Sequence, residues 1–199
     1  MAQIPEKLNE IIEKPTKILE ELYYAIGSGA VLVLIVLVVF HHSQLTVVAD
    51  YIGPFVTFLH VLSGITWIGL LYYFNLVQIP TMPKIPAELK PAIGKFIAPE
   101  ALFWFRWAAL STVVTGLIVI STSTAIKNTT IYTGMVLGLI MAFNVWFIIW
   151  PNQKKALGIV PAEDAEKAKA ARVAMLTSRI NTVLSLPMLY CMVTARLVG

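Results

Sequence analysis

The residues with the clearest chemical potential lie in residues 58–75, FLHVLSGITWIGLLYYFN, an apolar run with a single ionisable side chain, His60. On a helix of 100° per residue, His60, Gly64 and Trp67 fall within about 80° of one another. The opposite face carries only apolar side chains, namely Phe58, Leu62, Ile65 and Leu76. We therefore expect His60 to point into a bundle of helices, where ionisable residues of membrane proteins normally lie.

An imidazole in this position has three uses, which the sequence leaves open. It can hydrogen-bond to a neighbouring helix, bind haem iron as a neutral axial ligand, or contact a proton path or a quinone. Gly64 removes a side chain beside the ring, which makes room for another helix or for the edge of a porphyrin. Met192 is expected at a similar depth, so it is either the sixth iron ligand or a core residue. His60, Gly64, Trp67 and Met192 form the predicted cofactor-binding set, with His60 as the iron ligand.

A second predicted set contains two arginines inside apolar segments. Arg106 and Arg179 each lie about one and a half turns into a helix, and Asn144 is expected at the same level. A buried arginine costs a few kcal/mol unless it reaches the headgroups or finds a partner. One interpretation is that both side chains extend to the membrane surface, with Glu100 pairing to Arg106. The other is a polar pocket for an anion or a quinone oxygen, because a guanidinium suits planar anions.

The segments that position these residues are typical of a polytopic membrane protein. The chain has 199 residues, of which 58% are hydrophobic and 13% are charged. Five windows are long and apolar enough for membrane helices, which need about 20 apolar residues. They are residues 22–40, 55–77, 101–126, 131–150 and 173–198. The predicted fold is an all-α bundle of five transmembrane helices, in which residues 22–199 form a single domain.

The placement of charge predicts the orientation. Most of the Lys and Arg residues precede the first window or lie in the second and fourth connections. By the positive-inside rule, the N-terminus is cytoplasmic and the C-terminus periplasmic. Residues 1–21 are predicted to be a cytoplasmic amphipathic segment, and residues 79–99, with five prolines, an irregular loop. Although the net charge is +4, its confinement to one side of the bilayer favours lipid rather than nucleic acid as a partner.

Four blocks together resemble a known family. They are FLHVLSGITWIGLLYYFNLVQIP, PEALFWFRWAALSTVVTGL, NVWFIIWPNQKK and SRINTVLSLPMLY, within about residues 55–192. They resemble the N-terminal membrane region of bacterial membrane-bound urate dehydrogenases, the urate oxidase N-terminal domain. More distantly, a histidine followed by a Trp-x-Gly-Leu turn resembles the HemJ-type protoporphyrinogen oxidases, in which such a histidine is associated with haem b. The resemblance makes His60 the leading site residue. The other matching positions are Arg106, Asn144, Trp150, Asn152, Gln153, Arg179 and Asn181, so Asn181 joins the predicted anion-binding set.

The resemblance implies a redox-linked subunit of a bacterial inner membrane, with His60 contacting haem b or a quinone. Urate dehydrogenases of this type carry a C-terminal cytochrome c domain, whereas this chain ends at Gly199. If the chain is an oxidoreductase, we therefore expect electron transfer to a separate acceptor, such as a cytochrome c or a subunit of a respiratory complex. The alternatives are a non-catalytic accessory or assembly subunit of such a complex and, less favoured, a transporter of a purine-like anion.

Overall fold

The computed structural model describes residues 19–41, 48–122 and 126–197 of the chain. The predicted amphipathic segment at residues 1–21 lies almost wholly outside the described residues. Contacts divide the chain into two compact units, Met1–Tyr51 and Ile52–Gly199. In the described ranges every regular element is helical, which confirms the predicted all-α class. Whether residues 22–199 form a single domain stays a prediction.

Five long helices form the framework. They are α1 (Leu22–His41), α2 (Val48–Tyr72), α3 (Ala98–Ser121), α4 (Thr129–Phe143) and α5 (Asp164–Thr194). Shorter helical segments extend three of them. α2 continues through a π-helical segment (Tyr73–Gln78), a short α-helix (Ile79–Thr81) and a 3₁₀ turn (Met82–Lys84). α3 is preceded by Lys90–Ala92 and a π-helical segment (Ile93–Ile97), and α4 is followed by a π-helical segment (Asn144–Ile149) and Trp150–Ala156.

Four helical stretches in the described ranges are long and apolar enough to cross a membrane. They are Leu22–His41, Tyr51–Lys84, Lys90–Ser121 and Thr129–Ala156. This agrees with a polytopic membrane protein and with four of the five predicted spans. The fifth predicted window is helical within α5 but does not belong to this group. The reason is that α5 packs a polar face against its neighbours, including the buried Thr177, Ser178, Asn181 and Ser185, which lowers its mean hydropathy.

The predicted irregular loop at residues 79–99 is much shorter in the structure. Helical turns continue to Lys84 and resume at Lys90, so the expectation of a proline-disrupted loop was wrong for most of this stretch. A proline inside a helix lacks an N–H and clashes with the carbonyl one turn earlier. Here the π-helical segments Tyr73–Gln78 and Ile93–Ile97 end just before Pro80 and Pro99. Their wider turns change the pairing of backbone groups next to each proline, which lets the helix continue.

Within Ile52–Gly199, successive helices run antiparallel. His60 of α2 meets Thr112 of α3, and the Phe74 and Phe105 rings meet edge to face at 5.6 Å. Between α4 and α5, Asn128 at the start of one helix bonds to Ala195 at the end of the other. We call the end of the bundle where α3 finishes and α4 begins the upper end.

The lower half of the bundle is the better packed. Most of the largest fully buried side chains in the described ranges lie there, and the whole set is Trp67, Leu71, Phe105, Met141, Val145, Asn181 and Ser185. Close approach of α4 to α5 depends on Gly134, where an added Cβ would lie 3.0 Å from Cβ of Cys191. At Gly138, one turn on, the nearest atom would be 4.0 Å away. Gly134 and Gly138 have the Gly-x-x-x-Gly spacing that favours close helix contact, and Gly134 makes the closer approach.

Candidate cofactor-binding site

A cavity of about 610 Å³ lies in the upper half of the bundle, between α2, α3, α4 and α5. Its wall contains all four residues of the predicted cofactor-binding set, His60, Gly64, Trp67 and Met192. Most of the remaining wall is apolar. Sites for small molecules and cofactors commonly have volumes of about 300–1,000 Å³ and mostly apolar walls, so the size and chemistry of the cavity are those of a ligand site.

The orientation of His60 agrees with its predicted position. Its Nδ1 lies 2.9 Å from the backbone carbonyl oxygen of Thr112 and 3.3 Å from Oγ1 of Thr115. The four residues predicted on the opposite face of α2 are all exposed, namely Phe58, Leu62, Ile65 and Leu76. The imidazole therefore turns towards α3 rather than towards the outer surface.

The contact with Thr112 also determines which ring nitrogen of a neutral His60 carries the proton. A carbonyl oxygen only accepts hydrogen bonds, so Nδ1 must be the donor. Nε2 is then unprotonated, and within the described ranges it makes no hydrogen bond. Histidines that bind metals usually donate their other N–H to a carbonyl or carboxylate, which fixes the ring and its tautomer. His60, which lines the cavity, thus keeps a free nitrogen lone pair on Nε2.

Gly116 of α3 makes the position of this ring possible. A Cβ at residue 116 would lie 2.9 Å from Cε1 and 3.2 Å from Nδ1 of His60, closer than real Cβ contacts. Sequence reasoning missed Gly116 and Thr112, because neither has a suggestive residue type. They belong to the site only because α2 and α3 pair in the register that places them beside His60, and the sequence alone does not specify this register.

Trp67 contributes a second feature of the wall. Its side chain is only 2% exposed, and its Nε1 is buried with no hydrogen-bond partner among the residues that the structure describes. A buried indole N–H usually has an acceptor. Gly64 lies on the same face and adds no side chain to the wall of the cavity. A Cβ there would have only Cγ2 of Thr112 within 4 Å, at 3.9 Å.

Met192 lies on the α5 side of the cavity. Its Cε would be 3.4 Å from a Cβ built at Gly134, so the side chain fills the space beside that glycine. The structure thus gathers the predicted cofactor-binding residues around one cavity. The role of Met192 as an iron ligand stays a prediction.

Two residues of the predicted anion-binding set contact each other. Asn144 donates to Oδ1 of Asn181 at 2.8 Å, and Asn181 donates to the carbonyl oxygen of Met141 at 3.0 Å. Both asparagines are buried. Their hydrogen bonds join the lower half of the α4 segment to α5, and neither residue belongs to the wall of the 610 Å³ cavity.

The two arginines of that set are in different environments. The Arg106 guanidinium lies 3.4 Å from the centroid of the Trp150 ring, and its Nη1 donates to the carbonyl oxygen of Leu102 at 3.0 Å. Arg179 is exposed and, in the described part of the chain, makes no hydrogen bond or ion pair. Glu100 accepts a hydrogen bond from Trp104 rather than from Arg106. Anion binding by this set stays a prediction.

The residues of the cavity fit a haem, the cofactor that the family resemblance implies. The free Nε2 of His60 is a suitable donor to iron. The apolar wall suits a macrocycle, and a Cβ at Gly64 would meet only Cγ2 of Thr112, at 3.9 Å, so the wall is open at this position. Within the described ranges no group of three or more His, Cys, Asp or Glu side chains is placed to hold a metal ion.

Comparison with known proteins gives one match. No curated protein and no solved structure matches the chain significantly. Residues 121–197 match a family described as urate oxidase N-terminal. The matched part contains α4 and α5, and therefore Met192, Asn144, Arg179 and Asn181, whereas His60 and Arg106 lie before it. The match confirms, for residues 121–197, the resemblance to the urate oxidase N-terminal family.

Proposed function

We propose that this chain is a redox-linked subunit of a bacterial inner membrane and that His60 ligates haem b in the cavity between α2 and α5. The main support for this proposal is the hydrogen bond from Nδ1 of His60 to the carbonyl oxygen of Thr112, at 2.9 Å. It leaves Nε2 as an unprotonated acceptor on a cavity of about 610 Å³. When bound, a haem would supply one-electron oxidation and reduction.

The other residues of the cavity would hold and shield this group. Thr112 fixes the tautomer of His60, and Gly116 leaves the space that the ring occupies. The apolar side chains of the wall exclude water, which helps to set a redox potential. Met192, on the α5 side of the cavity, would supply the second side-chain ligand.

The membrane arrangement that goes with this proposal has five spans, with α5 as the fifth. The N-terminus is cytoplasmic, because basic residues concentrate on that side. The upper end of the bundle, where the cavity lies, then faces the periplasm. A separate periplasmic cytochrome c or a respiratory subunit would exchange electrons with the site there.

The test is an absorption spectrum of the protein purified from the membranes of bacteria that were grown with sufficient haem. We expect a Soret band that is lost in His60→Ala and kept in His41→Ala, because His41 is not one of the residues that line the cavity. Equal loss in both variants would point to general misfolding and not to ligation. A colourless, folded wild-type protein that also takes up no added haem would overturn the proposal and favour the accessory-subunit alternative.

A further inference from the structure

We propose that Arg196 binds the acidic group of the ligand whose apolar body occupies the cavity. This inference rests on the proposed function and deepens it. It identifies the ligand class as an amphipathic acid, such as a haem with free propionates, and assigns a specificity-determining residue outside the predicted sets.

The composition of the wall supports this assignment. Among the described residues that line the cavity, Arg196 is the single one with a permanent charge. Of the other polar groups, the Tyr72 hydroxyl is hydrogen-bonded to Ser185 at 3.0 Å, and the Thr57 hydroxyl donates to the carbonyl of Gly53 at 2.8 Å. The wall of the cavity is therefore mostly apolar and carries one cation. Such a wall matches a ligand that is apolar over most of its surface and acidic at one end.

The position of Arg196 places the charge at the upper rim of the cavity. It lies two residues beyond Thr194, the last residue of α5, and four residues beyond Met192. Its side chain is exposed, and it forms no ion pair with any residue in the described ranges. An acidic group bound there would stay near water while the rest of the ligand is buried, which avoids the cost of burying a carboxylate.

The backbone that carries Arg196 is held in place. Asn128, which caps the N-terminus of α4, donates from Nδ2 to the carbonyl oxygen of Ala195 at 2.8 Å. Ala195 is 1% exposed and lines the same cavity. The peptide just before Arg196 is thus tied to the neighbouring helix, so the guanidinium extends from a positioned backbone and its planar fork can meet a carboxylate.

The experiment compares two forms of one ligand. Purified protein in a nonionic detergent, which offers no lipid phosphate, is titrated with ferric protoporphyrin IX and with its dimethyl ester, and binding is followed by the shift of the Soret band. For the wild type we expect the diacid to bind about three- to tenfold more tightly than the ester, as suits an exposed charge pair. Arg196→Gln should remove this preference and leave ester binding unchanged, and Arg196→Lys should keep part of it.

Lys127→Gln is the matched control. It removes the same charge from an exposed residue in the connection between α3 and α4, and Lys127 does not line the cavity. If Lys127→Gln abolishes the preference as fully as Arg196→Gln does, the effect comes from general charge and the inference is overturned. Equal binding of diacid and ester, with both lost in His60→Ala, overturns the inference alone. If neither compound gives a shift that depends on His60, the proposed function falls, and this inference falls with it.

Discussion

Gly116 and His60 pack against each other so closely that no other residue fits at position 116 without a displacement. A Cβ there would lie 2.9 Å from Cε1 of the imidazole. Moving the ring would lengthen the 2.9 Å contact between its Nδ1 and the carbonyl oxygen of Thr112, which lies one turn before Gly116 on α3. The glycine and the hydrogen bond thus specify one position for the ring.

Gly116→Ala is expected to weaken haem binding about three- to tenfold, because the ring must move and its hydrogen bond to Thr112 must lengthen, at a cost typical of one hydrogen bond. The same titration with ferric protoporphyrin IX measures this. Gly29→Ala on α1 is the control, since a Cβ there meets nothing within 4 Å. It should leave binding unchanged and favour the helix slightly, as alanine does over glycine. Unaltered binding in Gly116→Ala would show that the ring is free to move.

The Asn144–Asn181 pair predicts a different kind of effect. Asn144→Leu would leave Oδ1 of Asn181 buried without its donor, and such an orphaned group costs about 1–3 kcal/mol. Asn181→Leu should cost at least as much, because it removes the bond to the carbonyl of Met141 as well. The free energy of unfolding in detergent measures both effects.

The double variant separates packing from ligand binding. If the two amides serve to join α4 and α5, Asn144→Leu with Asn181→Leu should be less destabilised than the sum of the two single variants, since they share a hydrogen bond. Additive losses would contradict the pairing. The exposed Thr129→Val, whose hydroxyl is not part of this interface, is a control that should change stability by less than about 0.5 kcal/mol.

The shared face of His60, Gly64 and Trp67 was predictable because a helix has a fixed period. The spacing of His60, Gly64 and Trp67 determines that they share a face, and the apolar residues opposite them determine which face is turned outward. Met192 was placed at the same depth from span positions alone, and it lies on the wall of the same cavity.

The contacts between helices could not be predicted, because the periodicity of a sequence does not specify which helices pair or in which register. Gly116 is one of several glycines in apolar segments, and only its register against α2 places it beside His60. Asn144 and Asn181 are predicted to bind an anion, and only the pairing of α4 with α5 brings them within hydrogen-bonding distance of each other. The continuation of helix through the proline-rich residues 79–99 depends on π-helical turns, for which the sequence has no simple signature.

Arg106 and Trp150 supply the remaining prediction. The guanidinium lies 3.4 Å from the centroid of the indole ring, a geometry in which cation–π attraction contributes about 0.5–2 kcal/mol. Arg106→Lys should lose most of this stabilisation, because an ammonium group does not stack as a planar guanidinium does. Arg179→Lys, at an exposed arginine without a described partner, should have almost no effect on the free energy of unfolding.

A double-mutant cycle of Arg106→Lys and Trp150→Leu gives the decisive value. We expect a coupling free energy of about 1 kcal/mol. A coupling near zero would mean that the stacked geometry does not persist in solution, and the arginine would then be better explained by contact with lipid headgroups.

Trp150 covers one face of the guanidinium and the carbonyl of Leu102 accepts from its Nη1, which leaves the other N–H groups to bind an anion. If urate, as the probe anion, binds to them, it should raise the thermal stability of the wild type and not that of Arg106→Lys.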